Sequence, residues 1–231
     1  MLNYIPYSEL GQADHGWLNA RHHFSFANYY NPRRMGFGVL RVINDDIIQA
    51  GTGFNTHSHQ DMEIITFVRS GAITHKDSQG NEGRTEAGDV QVMSAGTGVA
   101  HSEFNRESEE TTLYQIWIEP NQRGVKPAWK AHEFPKEPTS DKLSFLVAGD
   151  GTAPLHIYQD AEIYAGTLKQ GAMIDHPIKR QAYLLVSAGE IQIEDQVLAK
   201  GDAMEMSKLK SVQIKALSAT AEVVVIDAPQ S

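Results

Sequence analysis

"GTGFNTHSHQDMEIITFVRSG", residues 51–71, sets His57 and His59 one residue apart behind a glycine-rich turn and runs straight into an apolar segment closed by Gly71. On an extended strand, residues i and i+2 face the same way with Cα atoms roughly 6.5 to 7 Å apart, so both imidazoles reach one point from one wall. The helical solution needs i, i+4 spacing, as in a His-Glu-x-x-His segment, and the chain has none. The stretch "SAGTGVAHSEFN", residues 94–105, repeats the arrangement with His101 and Glu103 at i and i+2, again behind glycines. If the two strands face each other across a barrel, three imidazoles and one carboxylate converge. Neutral nitrogens with one anionic oxygen suit Fe, Ni, Cu, Mn or Zn and suit Ca or Mg poorly.

Composition narrows the setting. A chain of 231 residues that is 41% hydrophobic has room for one large β domain or two smaller ones. No run approaches the roughly 20 apolar residues of a membrane span. The opening "MLNYIPYSELGQADHG" lacks the basic-then-apolar order of a signal peptide, so a cytoplasmic protein without membrane attachment is expected. Cysteine is absent, which removes disulfides, thiolate metal sites and cysteine nucleophiles and leaves nitrogen and oxygen to hold any metal. With 29 acidic against 20 basic residues the net charge is -9, which repels a phosphate backbone; direct nucleic-acid binding is not expected.

Short strands separated by turn clusters make up the rest. Val39 to Ile43, Glu63 to Val68, Val90 to Met93, Thr112 to Ile118, Leu143 to Val147, Tyr183 to Val186, Ile191 to Ile193 and Glu222 to Ile226 are β-branched, aromatic or alternating. Between them stand "NDD", "KDSQGN", "EAGD", "SAGTG" and "VAGDGTAP". The proline-punctuated segment from Glu119 to Lys142 interrupts the strands, which gives a first unit over 1–130 and a second over 131–231. Aligning Gly71 with Gly189 sets "EIITFVRSGAI" over "QAYLLVSAGEI", and "EAGDVQVMS" then meets "AKGDAMEMS". The interval from Gly71 to Gly88 is 17 residues and that from Gly189 to Gly201 is 12, so the second copy carries a shorter hairpin. An all-β chain built from a duplicated barrel follows.

Other polar residues have several readings. Glu63 shares the parity of His59 and is open as a ligand, an acceptor behind a ligand histidine, or a buried ion-pair member, with the first ranked below the others. His75 precedes the turn "KDSQGN" and is read as lying at a barrel mouth or in solvent, with solvent ranked first; Asp61 and Asp77 are read as turn or hairpin residues. His22 and His23, among Trp17, Phe24, Phe26 and Tyr29, are read as packing a core or an interdomain seam.

These residues carry a resemblance. Gly51, five residues, His57, one residue, His59, three residues, Glu63 and later Gly71 resemble the first cupin motif, and Gly88, then Gly98, two residues, His101, three residues and Asn105 resemble the second. Gly71 falls one residue late, the second motif has extra residues between Gly88 and Gly98, and Gly96 stands where proline is usual. "HGWL", "FSFANYY", "HSHQDMEIITFV", "QVMSAGTGVAHSEFN" and "LYQIWI" resemble the pirin family, over essentially the first 120 residues. The resemblance implies a bicupin whose metal ligands are His57, His59, His101 and Glu103, with Glu63 displaced, and Fe(II) as the expected ion; Ni, Cu, Mn, Co or Zn remain compatible. Counting back from Gly189 puts Asp175, Pro177 and Gln181 at the places of His57, His59 and Glu63. Counting on from Gly201 puts Ile214 and Ala216 at those of His101 and Glu103. One metal site per chain is therefore expected, with His176 one residue out of register on the opposite face.

Four ligands on an ion that prefers five or six contacts leave places for water, dioxygen or a substrate oxygen. Chelation of an enol or phenol would lower its pKa, with Glu103 as proton acceptor, ahead of attack by dioxygen. Isomerisation or hydrolysis without dioxygen uses the same ligands. The pirin resemblance implies the first route, with a flavonol such as quercetin opened and carbon monoxide released. It also implies an alternative, a metal- or redox-responsive regulatory protein with a protein partner, since pirins of nucleated cells are linked to transcription-factor complexes. A structural metal protein is the third reading. A monomer is expected, since two barrels can satisfy their own strand edges.

Overall fold

The computed structural model describes residues 1–139 and 141–231, and among these the one helical piece is a 3₁₀ turn at Tyr7–Glu9. Among the described residues no helix is long and apolar enough to cross a membrane. The strands are β1 (Leu2–Ile5), β2 (Gly11–Asp14), β3 (Leu18–His22), β4 (Leu40–Ile48), β5 (Gly53–His59), β6 (Glu63–Ser70), β7 (Ala72–Asp77), β8 (Glu82–Glu86), β9 (Val90–Ser94), β10 (Val99–Phe104), β11 (Thr111–Ile118) and β12 (Ala128–His132). They continue as β13 (Ser144–Ala148), β14 (Leu155–His156), β15 (Glu162–Lys169), β16 (Met173–Pro177), β17 (Gln181–Ala188), β18 (Glu190–Ile193), β19 (Gln196–Ala199), β20 (Ala203–Met206), β21 (Ser211–Ala216) and β22 (Thr220–Ala228). The strands read from the sequence coincide with β4, β6, β9, β11, β13, β17, β18 and β22, several of which run longer.

Two tandem jelly-roll barrels result, as the sequence predicts. In the first, a seven-stranded sheet ordered β12-β9-β6-β11-β4-β3-β2 is closed by a four-stranded sheet ordered β5-β10-β7-β8. The second repeats this with β1-β20-β17-β22-β15-β13-β14 and β16-β21-β18-β19. Gly71 and Gly189 hold φ values of +72° and +71° at the same place in the two copies, a left-handed turn that other residues adopt only with strain. The β18–β19 hairpin turns through Glu194 and Asp195 alone, where β7–β8 uses residues 78–81, so the second copy has the shorter hairpin. The boundary expected after residue 130 falls inside β12, and β1 crosses to the second barrel, where Tyr4 pairs with Met204.

The seven-stranded sheets pack against each other. Alternate residues of the first, including Ile43, Ile65, Tyr114 and Ile116, meet Ile163, Tyr183, Leu185, Val224 and Ile226 of the second in one buried cluster. The opposite faces of those strands line the barrel interiors, and here the copies differ. Ile174, Leu184, Ile191, Met204, Ile214 and Val225 belong to one continuous apolar filling of the second barrel. The first barrel has two smaller clusters, one around Leu18, Ile48, Val68, Ile73 and Leu113 and one around Ile64, Met93, Ala95 and Val99. A fully buried aliphatic side chain contributes about 1.5–3 kcal/mol, so the first barrel gives up stability for whatever lies between its clusters.

One expectation about the second copy is corrected. In β16, Ile174 and His176 are buried while Asp175 and Pro177 are exposed, so His176 faces the interior. Carried on from Gly71 and Gly189, the ladders pair Thr74 with Phe104 and Gln192 with Lys215. Val212 and Ile214 therefore stand for His101 and Glu103, and Val212 pairs with His176 as His101 pairs with His57. Counting through loops of unequal length slips by one residue on β16 and by two on β21.

Candidate metal centre

The convergence predicted for the histidines is present. β5 and β10 run antiparallel with His57 opposite His101 and His59 opposite Val99. Their ring centroids lie 4.7 Å (His57–His59), 4.6 Å (His57–His101) and 5.0 Å (His59–His101) apart. One nitrogen from each ring falls within 4.8 Å of the others, and among the described residues this is the one such group of three. Glu63 does not join it. Asp61, at φ +47°, breaks the strand between β5 and β6, which resets the alternation. Glu63 follows Ile65 toward the seam between barrels, where Ser94 Oγ donates to its Oε2 at 2.6 Å.

Hydrogen bonds leave particular nitrogens free. His57 Nδ1 donates to the Asn55 carbonyl at 2.7 Å, which leaves Nε2 as its ligand nitrogen. His75, expected in solvent, is fully buried: its Nε2 donates to Asp77 Oδ2 at 3.0 Å, and its Nδ1 lies 3.4 Å from His101 Nδ1. With Asp77 fixing the proton on His75 Nε2, Nδ1 accepts from His101 Nδ1–H. His101 Nε2 is then a lone pair, buried and without a partner. Such outer hydrogen bonds fix tautomer and ring orientation at metal sites. Asp77 also accepts from the Gln79 and Asn81 backbones, so the turn reading of that residue holds alongside. Burial, then the neighbouring imidazoles, pushes His59 down to about 4 and His101 down to about 3. Both are neutral at pH 7, the form that binds metal. An orphaned imidazole nitrogen beside two others fits a divalent transition ion.

Glu103 lies two residues along β10 and outside that group of three. It reaches to the seven-stranded sheet, where Thr66 Oγ1 (3.0 Å) and Gln91 Nε2 (2.6 Å) donate to Oε1 and Gln115 Nε2 (2.7 Å) donates to Oε2. These donors belong to a polar row. His22, Asn44, Gln115, Thr66 and Gln91 stand opposite one another across β3, β4, β11, β6 and β9, between the two apolar clusters. The same places in the second barrel hold Phe145, Tyr164, Val225, Leu184 and Met204. A signal for the row exists in the sequence: Thr66, Gln91 and Gln115 each interrupt the inward face of an otherwise apolar strand.

The row opens onto a cavity of about 820 Å³ lined by the three histidines, Glu103, His22, Asn44, Asp46 and the rings of Trp17, Phe26, Phe54 and Trp117. Trp117 stands edge-on to His59 at 4.9 Å and to Phe26 at 5.4 Å. Asp46 Oδ1 is buried without a partner, and burial, then Asp45 and Glu103, pushes its carboxyl well above the usual range. The paired His22 and His23 separate where β3 ends. His22 enters the cavity, whereas His23 goes to the seam and meets Tyr183 Oη at 3.0 Å.

Residues 5–118 match the family model described as pirin, and residues 145–228 match that of the quercetinase C-terminal cupin domain. Over 232 residues the chain is 47% identical to a pirin-like protein of Caulobacter vibrioides, covering 99% of this chain and 100% of that one. The chain belongs to the pirin family. This pirin is also 42% identical over 225 residues to the quercetin 2,3-dioxygenase of Escherichia coli (strain K12), with 96% of each chain covered. The crystal structure of YhhW from Escherichia coli matches this pirin with a TM-score of 0.94 at 40% identity, over 100% of this chain and 99% of that one. A complex of bacterial pirin YhhW with nickel(II) matches it with a TM-score of 0.92 at 39% identity, over 100% of both.

Proposed function

We propose that this pirin is a metal-dependent dioxygenase that opens the heterocycle of a flavonol such as quercetin with release of carbon monoxide. His57, His59 and His101 would hold one divalent transition ion, and Glu103 would serve as fourth ligand and proton acceptor. One observation carries the reading: three imidazoles with a free, buried nitrogen on His101 face an aromatic-walled cavity that also holds Glu103. The substrate class comes from the relative named quercetin 2,3-dioxygenase and the quercetinase model matched by the second half. The ion itself supports the assignment through the nickel(II) complex of YhhW.

Bound there, such an ion would supply a Lewis acid for an enol oxygen and redox reach toward dioxygen. The chain's own residues do the rest. Trp117, Phe26 and Phe54 offer apolar ring faces and edges to a planar ligand and exclude water around it. A carboxylate offers about four lone-pair positions, and Thr66, Gln91 and Gln115 occupy three on Glu103. One position is left, so Glu103 would take a substrate proton there only when its own bond to the ion is released.

The test is anaerobic metal analysis of the purified protein, titration with quercetin, then admission of air while flavonol absorbance and carbon monoxide are followed. One metal per chain with loss of flavonol and release of carbon monoxide, both abolished in Glu103→Ala and His101→Ala, is the expected result. Tight binding without turnover would overturn it in favour of a metal-dependent sensor or partner protein.

A further inference from the structure

The cavity has a second polar wall that the metal centre does not use. His22 Nδ1 lies 2.8 Å from Asn44 Oδ1, and both residues are buried and line the cavity. An amide oxygen only accepts, so the proton is on Nδ1 and the tautomer is set. Nε2 is left as a lone pair on the ring that faces the cavity. Burial keeps the ring neutral by lowering its pKa, which preserves that acceptor at pH 7. Two residues along the same face of β4, Asp46 also lacks a partner on Oδ1. His22 sits on β3, two strand spacings from the Gln115 that holds Glu103, which is roughly 10 Å at the backbone.

Nothing in the barrel architecture requires polar groups here. The second barrel puts Phe145 and Tyr164 at the places of His22 and Asn44, and their rings stack at 4.8 Å. His22 lines the cavity, so its free acceptor is open to whatever the cavity holds. An occupant with a hydrogen-bond donor some distance from whatever meets the His57–His59–His101 cluster would satisfy it, and the ring walls suit a flat one.

We infer that His22, held by Asn44, is a specificity-determining residue that accepts a hydrogen bond from a hydroxyl on the far ring of a planar polyhydroxylated aromatic ligand. The inference rests on the flavonol reading for its ligand and on the cavity alone for its geometry. It predicts that the pendant ring of a flavonol is read by its hydroxyls.

The experiment compares quercetin with galangin, a flavonol whose pendant ring has no hydroxyl, by quenching of tryptophan fluorescence in the nickel-loaded full chain. The wild type should prefer quercetin by about fivefold, the worth of one neutral hydrogen bond. In His22→Phe the affinity for quercetin should fall to that for galangin. Asn44→Leu, which frees the ring to change tautomer, should lose most of the preference and serves if His22→Phe does not fold. Equal affinities in the wild type, or a preference that survives in both variants, would overturn the assignment. Binding of neither flavonol would overturn it together with the flavonol reading. A His22-dependent preference without turnover in air would support His22 and remove the dioxygenase; turnover without a preference would do the reverse.

Discussion

His75 and Trp129 lie face to face, ring centroids 4.9 Å apart and planes 8° from parallel. Trp129 comes from β12, in the proline-punctuated segment, so a strand far along the chain clamps the imidazole that backs His101. Removing this backing should loosen the metal without removing a ligand. Asp77→Asn and His75→Ala are expected to weaken nickel(II) affinity by 10- to 100-fold, the usual range for partners behind a ligand histidine. Trp129→Ala should act in the same direction to a smaller extent. Calorimetric titration of the metal-free protein measures all three, and unchanged affinity in His75→Ala would refute the relay.

Glu103 joins the two sheets of its barrel, and its donors fail as a set. Glu103→Ile alone leaves Thr66, Gln91 and Gln115 without their acceptor and should destabilise by about 3 kcal/mol or more. The second barrel shows an apolar solution for the same places, Leu184, Met204, Val225 and Ile214. The combined Glu103→Ile, Thr66→Leu, Gln91→Met and Gln115→Val chain should therefore be more stable than the single variant, a non-additivity that chemical denaturation reads directly. It should have no flavonol turnover.

Stability should depend on pH through Glu63. Burial raises its carboxyl from an ordinary 4.5 to about 7 in the folded protein. The folded chain then binds more protons than the unfolded one between those values, so stability is fullest below about 4.5 and falls as pH rises toward 7. Glu63→Gln should flatten this slope and be the more stable protein above pH 7, by up to about 3 kcal/mol. Parallel pH dependences in the two proteins would exclude Glu63 as the source.

Tyr183 ties the barrels together. Arg34 Nη2 donates to its hydroxyl at 3.0 Å, and that hydroxyl meets His23 Nδ1, whose pKa burial lowers to about 3. Tyr183→Phe leaves a neutral imidazole and a guanidinium short of a partner in the seam. A loss of about 1–3 kcal/mol in thermal or denaturant unfolding is expected, with metal binding unaffected.

Much of this was legible in the sequence, for identifiable reasons. Same-face spacing on a strand located His57, His59 and His101, because a period of two survives any detail of packing. The apolar strands Glu63–Ser70, Val90–Ser94 and Thr111–Ile118 were readable for the same reason. Parity carried across a turn was not: Asp61 in the left-handed region turned Glu63 toward the seam, and unequal loops hid the inward position of His176. His75 was misjudged because its burial depends on β12 and on the closing sheet, which no local pattern announces. The polar row was written in the sequence as single polar residues inside apolar strands. Its meaning appears only when five strands are brought into register.

The placement of β1 has a consequence for any attempt to cut the chain in two. Leu2–Ile5 supplies the outermost rungs on β20, and Ser207 N–H donates to the Met1 carbonyl just beyond them. A fragment starting at residue 131 would present β20 bare, a row of unpaired amides and carbonyls that invites another copy to dock edge to edge. Such a fragment should be sticky, and a synthetic peptide of the first few residues should solubilise it. The opening residues thus behave as a splint for a barrel they precede by more than a hundred positions.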